Sequence, residues 1–197
     1  MIPADLFLAL LGFALATLFT PGPNNLMLMA SGANWGFRRT VPHALGVALG
    51  FPAMAAAVGL GLAAVFEAVP ALETVLKVVA VLFLLWLAWK VATARPGDAR
   101  AGGRPLTFLQ ATAFQWVNPK AWAMALGAMA AYAATGGAGR VLLVAAVFAV
   151  LGVGSAATWT ALGTRIRRVL STDARLKAFN WTMAGLLVLS LAPVLGM

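Results

Sequence analysis

Two short stretches hold most of the chemistry this chain can offer. "PGPNN" at 21–25 places Asn24 and Asn25 directly behind two prolines and a glycine, and "NPK" at 118–120 sets a lysine behind an Asn-Pro pair. Both interrupt long apolar runs. Proline removes an amide donor and clashes with the preceding turn, so each stretch should break a helix. A break frees backbone amides and carbonyls that hydrocarbon cannot satisfy, and they are tolerable only against protein, water or a solute. The helix that restarts points its free amides and positive dipole end into the gap. Asn24, Asn25 and Asn118 suit such restarts, because an asparagine side chain accepts from a free amide. Pro119 is a good first helical residue. An uncompensated lysine at the bilayer centre costs ~2.5–3.5 kcal/mol on insertion scales, so Lys120 needs a partner. No Asp or Glu lies deep in the apolar runs, which leaves carbonyls at the first break or a substrate carboxylate. The substrate-binding candidates are therefore Pro21, Gly22, Pro23, Asn24, Asn25, Asn118, Pro119 and Lys120.

These stretches need elements that hold them inside a membrane. The 197 residues are 62% apolar and 10% charged, with a mean hydropathy of +0.93. A soluble domain carries about 25% charged residues. The fold class expected is an all-α integral membrane protein with six spans, roughly 4–33, 41–66, 70–92, 106–135, 140–163 and 177–196. From Asp5 to Arg38 no charge intervenes over 32 residues, roughly 48 Å of helix at ~1.5 Å per residue. That exceeds one straight crossing of ~30 Å of hydrocarbon. Spans 1 and 4 are thus expected to be interrupted. Two odd-numbered halves, 1–98 and 99–197, enter from opposite sides and form inverted repeats of one transmembrane domain. Interrupted spans at matching positions of two halves point to a transporter's binding site. A plainer arrangement stays open: 2–20 as a complete first span, "PGPN" at the surface, 106–117 as an interfacial helix, and Lys120 snorkelling to the headgroups.

Eleven of the fourteen Lys and Arg residues fall in three connections: Arg38 and Arg39; Lys90, Arg95, Arg100 and Arg104; Arg165, Arg167, Arg168, Arg175 and Lys177. The positive-inside rule makes these cytoplasmic and both termini external. Glu67 and Glu73 fall on the outer side. Trp35, Trp86, Trp89 and Trp181 stand near the inner interface and Tyr132 near the outer, as anchors or as ordinary packing. The N-terminus lacks a basic region before its apolar run, so a retained first span is expected rather than a signal peptide. Gly46 and Gly50 make a G-xxx-G pair suited to close helix packing within the chain, with Gly61 further along. Pro52 should kink the second span.

Several classes are disfavoured. The net charge of +9 sits between apolar segments, where it meets anionic lipid rather than nucleic acid. No cysteine and one histidine leave no thiolate or multi-histidine metal site. Hard cations want several oxygen ligands including carboxylates, which the spans lack. No cofactor is expected, and a homo-oligomer stays open. Ser155 in "GVGSA" is a conceivable nucleophile for an intramembrane enzyme, but the lone His43 is in another span. A channel for small polar solutes is the other alternative.

The stretches "TPGPNNLMLMASGANWGFRRTVPHALGVALG" (20–50) and "NPKAWAMALGAMAAY" (118–132), taken with the six-span layout, resemble the LysE/RhtB family of amino-acid exporters across essentially the whole chain. The resemblance implies a bacterial inner-membrane secondary transporter that moves amino acids or related zwitterions outward, driven by the proton gradient. Pro21, Gly22, Pro23 and Asn24 match the first motif; Asn118, Pro119 and Lys120 match the second. Position 24 is Asn where many relatives have Asp, which removes one possible proton carrier. The stretch after Lys120 also lacks a proline often seen there. The remaining candidates for proton coupling are Lys120 and His43.

Overall fold

A computed structural model describes residues 2–62, 64, 68–69, 71–94 and 104–192. Glu67, Arg95 and Arg100 lie outside the described residues, as does the side chain of Glu73. Among the described residues there is no strand, and the chain is a bundle of helices. Helix α1 (Ala4–Phe19) stops at Thr20, and α2 (Pro23–Trp35) restarts behind Gly22 with Pro23 in its first turn. The two axes differ by 52°. Helix α3 (Phe37–Ala57) follows, then α4 (Ala71–Ala92). A second interrupted pair comes next: α5 (Phe108–Gln115) and α6 (Pro119–Tyr132). The chain closes with α7 (Gly137–Ile166) and α8 (Asp173–Leu189).

Three helical stretches are long and apolar enough to cross a membrane, namely Phe37–Leu62, Thr74–Ala92 and Gly137–Ile166; the bent α1–α2 pair makes a fourth if it is one span. This is a multi-pass membrane protein. Large apolar side chains stand exposed along α4, among them Leu82 and Trp89, as a lipid-facing surface requires.

The second span runs on past its prolines. α3 continues through both Pro42 and Pro52, and the irregularity falls later, in a π-helical turn at Val58–Leu62. Gly61 there has φ of 120°, a conformation open to glycine at little cost. It faces open space rather than another helix, so its role is backbone freedom, not close packing. Pro52 nonetheless has an effect: without its amide, the Ala48 carbonyl loses the donor an α-helix normally supplies.

Helix α7 is the centre of the bundle and packs most extensively on α3 and α2. Glycines permit this. A Cβ on Gly163 would run into the Met29 carbonyl, and one on Gly32 into the Thr160 carbonyl, so α2 and α7 cross backbone to backbone. Gly46 and Gly50 do the same for α3 against α5, facing Phe108, Ala111 and Thr112. The G-xxx-G pair therefore serves packing within the chain. α2 is buried on nearly all sides, although it carries Asn25, Ser31 and Asn34, whereas α1 buries only Leu10 and Ala14. The polar helix is inside and the apolar one outside.

One end of the bundle gathers the basic connections. Arg167 Nη1 donates to the Asn34 carbonyl at 2.8 Å, capping the negative end of α2. Asn180 Nδ2 donates to the Ala94 carbonyl at 3.1 Å and to Asn34 Oδ1 at 3.0 Å. The ends of α2, α4 and α7 thus meet, with Asn180 joining them from the middle of α8.

Candidate functional site

The two helix breaks meet. Lys120 Nζ, in the first turn of α6, donates to the Thr20 carbonyl at 2.7 Å and to the Pro21 carbonyl at 3.4 Å. These carbonyls follow α1, at the negative end of its dipole, where a cation is stabilised. Gly22 makes room for this approach: a Cβ there would stand 2.7 Å from Lys120 Cδ and push the lysine stem aside. The other freed carbonyls are also met by side chains. Asn25 Nδ2 donates to the Leu18 carbonyl at 2.8 Å and the Thr20 carbonyl at 2.9 Å. Ser155 Oγ, from α7, donates to the Leu18 carbonyl at 2.8 Å.

A second link joins the breaks directly. Asn24 Nδ2 donates to Gln115 Oε1 at 2.8 Å, and Gln115 Nε2 returns a bond to Asn24 Oδ1 at 3.2 Å. Gln115 is the last residue of α5 and is fully buried. Asn118 caps α6, its Oδ1 accepting from the Lys120 amide at 3.1 Å. By contrast, no side chain caps α2. Among the described residues, the amides of Asn24 and Asn25 have no partner within the chain.

Around this junction lies a cleft enclosing about 500 Å³, its open mouth included. Its polar wall comprises Asn24, Asn25, Asn118, Lys120 and Ser155, and its apolar wall includes Phe51, Met124 and Phe148. Ala48 and Gly152 also line it, and the Ala48 carbonyl, freed by Pro52, would stand 3.5 Å from a Cβ on Gly152. Pro21 is exposed, Gly22 and Pro23 are buried, and Pro119 is half-buried in the first turn of α6. The cleft meets α7 at Gly152 and Ser155, about halfway along its 30 residues. It meets α3 at Val47, Ala48 and Phe51, well inside the Phe37–Leu62 stretch.

Not every candidate converges here. His43 lines a different cavity, with Lys90 and Arg104. Ser155 and His43 therefore belong to separate sites and do not form a nucleophile–base pair. Conversely, Ser155 lines the cleft and the buried Gln115 pairs with its Asn24, although the motifs assigned neither there. Gln115 had a signal in principle, as a neutral polar residue three positions before Asn118 in an apolar run. The Leu18 and Thr20 carbonyls had none, since backbone atoms carry no sequence mark.

A family model described as "LysE type translocator" matches residues 15–197. The cysteine/O-acetylserine efflux protein of Salmonella choleraesuis (strain SC-B67) is 34% identical over 111 residues, covering 55% of each chain. The cysteine/O-acetylserine efflux protein of Escherichia coli (strain K12) is 32% identical over the same length and coverage. The alignment thus spans about half the length of these relatives. No solved structure matches the chain.

Proposed function

The chain belongs to the LysE type translocator family, and from that premise we propose that it exports amino acids or related small zwitterions across the bacterial inner membrane. The observation that carries the proposal is the junction of the two helix breaks around Lys120, halfway along the longest helix. The substrate carboxylate binds Lys120 and the uncapped amides of Asn24 and Asn25, where the α2 dipole is positive. The substrate ammonium takes the carbonyl of Ala48, which lines the cleft. Pro21, Gly22, Pro23 and Pro119 shape the backbone that presents these groups. Among the described residues no carboxylate lines the wall, which favours a ligand that supplies its own.

Two inverted repeats of three spans fit this reading. Each half runs from an interrupted pair to a long helix and then to one more helix. The basic connections face the cytoplasm and both termini face outward. Relatives named for cysteine and O-acetylserine efflux make a small, uncharged-side-chain amino acid the first substrate to test. Proton coupling runs through Lys120, the titratable group of the cleft. His43 is the alternative carrier, although it lines another cavity.

The test is an efflux assay. Cells expressing the protein are loaded with dipeptides, and the amino acids appearing outside are measured with and without an uncoupler. Outward accumulation that an uncoupler abolishes supports a coupled exporter. Flux that survives gradient collapse would identify a channel instead.

A further inference from the structure

The second cavity is lined by Met27, Ser31, His43, Lys90, Arg104 and neighbouring apolar groups of α2, α4 and the segment before α5. His43 is 2% exposed, yet neither ring nitrogen has a hydrogen-bond partner. A buried imidazole always carries at least one N–H, and leaving it unpaired is unfavourable. Lys90 and Arg104 add two cations. Lys90 Nζ stands 5.0 Å from the Trp86 ring centroid, and among the described residues no carboxylate lines the cavity. Ser31 is not a free donor. Thr40 Oγ1 donates to the Gly36 carbonyl at 2.9 Å, so in the 2.9 Å pair between the two hydroxyls Ser31 is the donor. The open donors are therefore His43, Lys90 and Arg104.

We propose that this cavity is an oxyanion site, in which Lys90 and Arg104 hold a carboxylate or phosphate and His43 donates to it. Two sources share that chemistry: the carboxylate of a transported amino acid, and the phosphate of an anionic lipid headgroup. Position on the fold accommodates both. Asn24, Met27 and Ser31 follow one face of α2, since seven residues turn a helix by almost two full turns. The cavity and the cleft at Lys120 thus lie along one stripe, about 10 Å apart at ~1.5 Å per residue. Lys90, in the cavity wall, also stands over the exposed ring of Trp86, where a lipid would lie. The carboxylate source rests on the export reading; the site itself does not.

The chain has a single histidine, so histidine-specific ¹⁵N labelling reports His43 alone. The full-length protein is placed in nanodiscs of neutral phosphatidylcholine and titrated with O-acetylserine at constant pH. A parallel series replaces phosphatidylcholine stepwise with phosphatidylglycerol. We expect a saturable shift of the imidazole signals in at least one series, and the responding series names the source. Lys90→Gln and Arg104→Gln should each weaken the apparent affinity at least tenfold. An imidazole signal unmoved in both series overturns the proposal, as does a shift with the same midpoint in both variants. Export is read separately, by efflux in Lys120→Ala, so failure of one reading does not imitate failure of the other.

Discussion

Lys120→Ala separates a structural role from a transport role, because the two carry different magnitudes. Structurally, the lysine donates to two carbonyls. Thr20 retains Asn25 as a donor at 2.9 Å after truncation. Pro21 loses its donor, but that bond is long at 3.4 Å and the residue is exposed to begin with. A hydrogen bond to a charged group contributes ~1.5–3 kcal/mol when buried. With Lys120 only half-buried and one acceptor still served, the loss of stability should be about 1 kcal/mol. Removing a desolvated lysine also relieves its own burial cost, which reduces the net effect further. For transport, the same truncation removes the partner of the substrate carboxylate. At ~1.5–3 kcal/mol for a charge-assisted contact and ~1.4 kcal/mol per decade, half-saturation should rise roughly 10- to 150-fold. Efflux at sub-saturating substrate would then fall by a similar factor, with the protein still at wild-type abundance in the membrane. The assay pairs efflux rate with quantified membrane protein and a detergent-solubilised melting curve. Wild-type efflux in Lys120→Ala would refute the assignment of Lys120. A collapse in abundance matching the loss of efflux would reassign the residue to folding.

Other expectations follow from the same junction. Asn24→Leu and Gln115→Leu should each destabilise by ~1–3 kcal/mol, since each strands a polar partner; the double variant should regain most of that in a melting curve and still fail in efflux, because it loses the polar wall. Gly22→Ala should lower efflux severalfold at near-normal abundance, as its methyl displaces the Lys120 stem; equal efflux in the two proteins would contradict the close approach. Because the chain has no cysteine, single cysteines report topology directly. Thr135→Cys should react with a membrane-impermeant maleimide in intact cells, and Ser171→Cys only after permeabilisation; the reverse pattern would invert the orientation.

The sequence was informative where backbone chemistry is forced by residue type. Pro21, Pro23 and Pro119 cannot continue an α-helix from the preceding turn, so the interruptions were legible, and each helix restarts at a proline with an Asn beside it. The Gly46–Gly50 face was legible for the same reason: an absent side chain has only a few uses. Pro52 did not mark where the span breaks: α3 runs on past it, and the non-helical residue is Gly61. The pairing of Asn24 with Gln115 joins residues 91 positions apart and leaves no local pattern. The crossing of α2 on α7 at Gly32 and Gly163 was illegible likewise, as neither glycine shows which partner it awaits. The assignment of His43 to a cavity apart from Lys120 needed coordinates as well.

The arrangement explains why a lysine is stable in this position without an acidic neighbour. A carboxylate would neutralise Lys120 permanently and leave little attraction for a substrate that brings its own. Carbonyls at the end of α1 act differently. They are partial charges, each already shared with a second donor or partly exposed, so they hold the ammonium in place without cancelling its charge. The field at the cleft therefore stays positive, reinforced by the uncapped start of α2. Asn24 fits the same logic. Its amide can both give to and take from Gln115, whereas an aspartate could only accept, would leave Gln115 Oε1 without its donor, and would place a fixed anion where the substrate's must go. In this chain, a neutral, reciprocally bonded pair beside an unneutralised lysine would let the cleft take up a carboxylate and then release it.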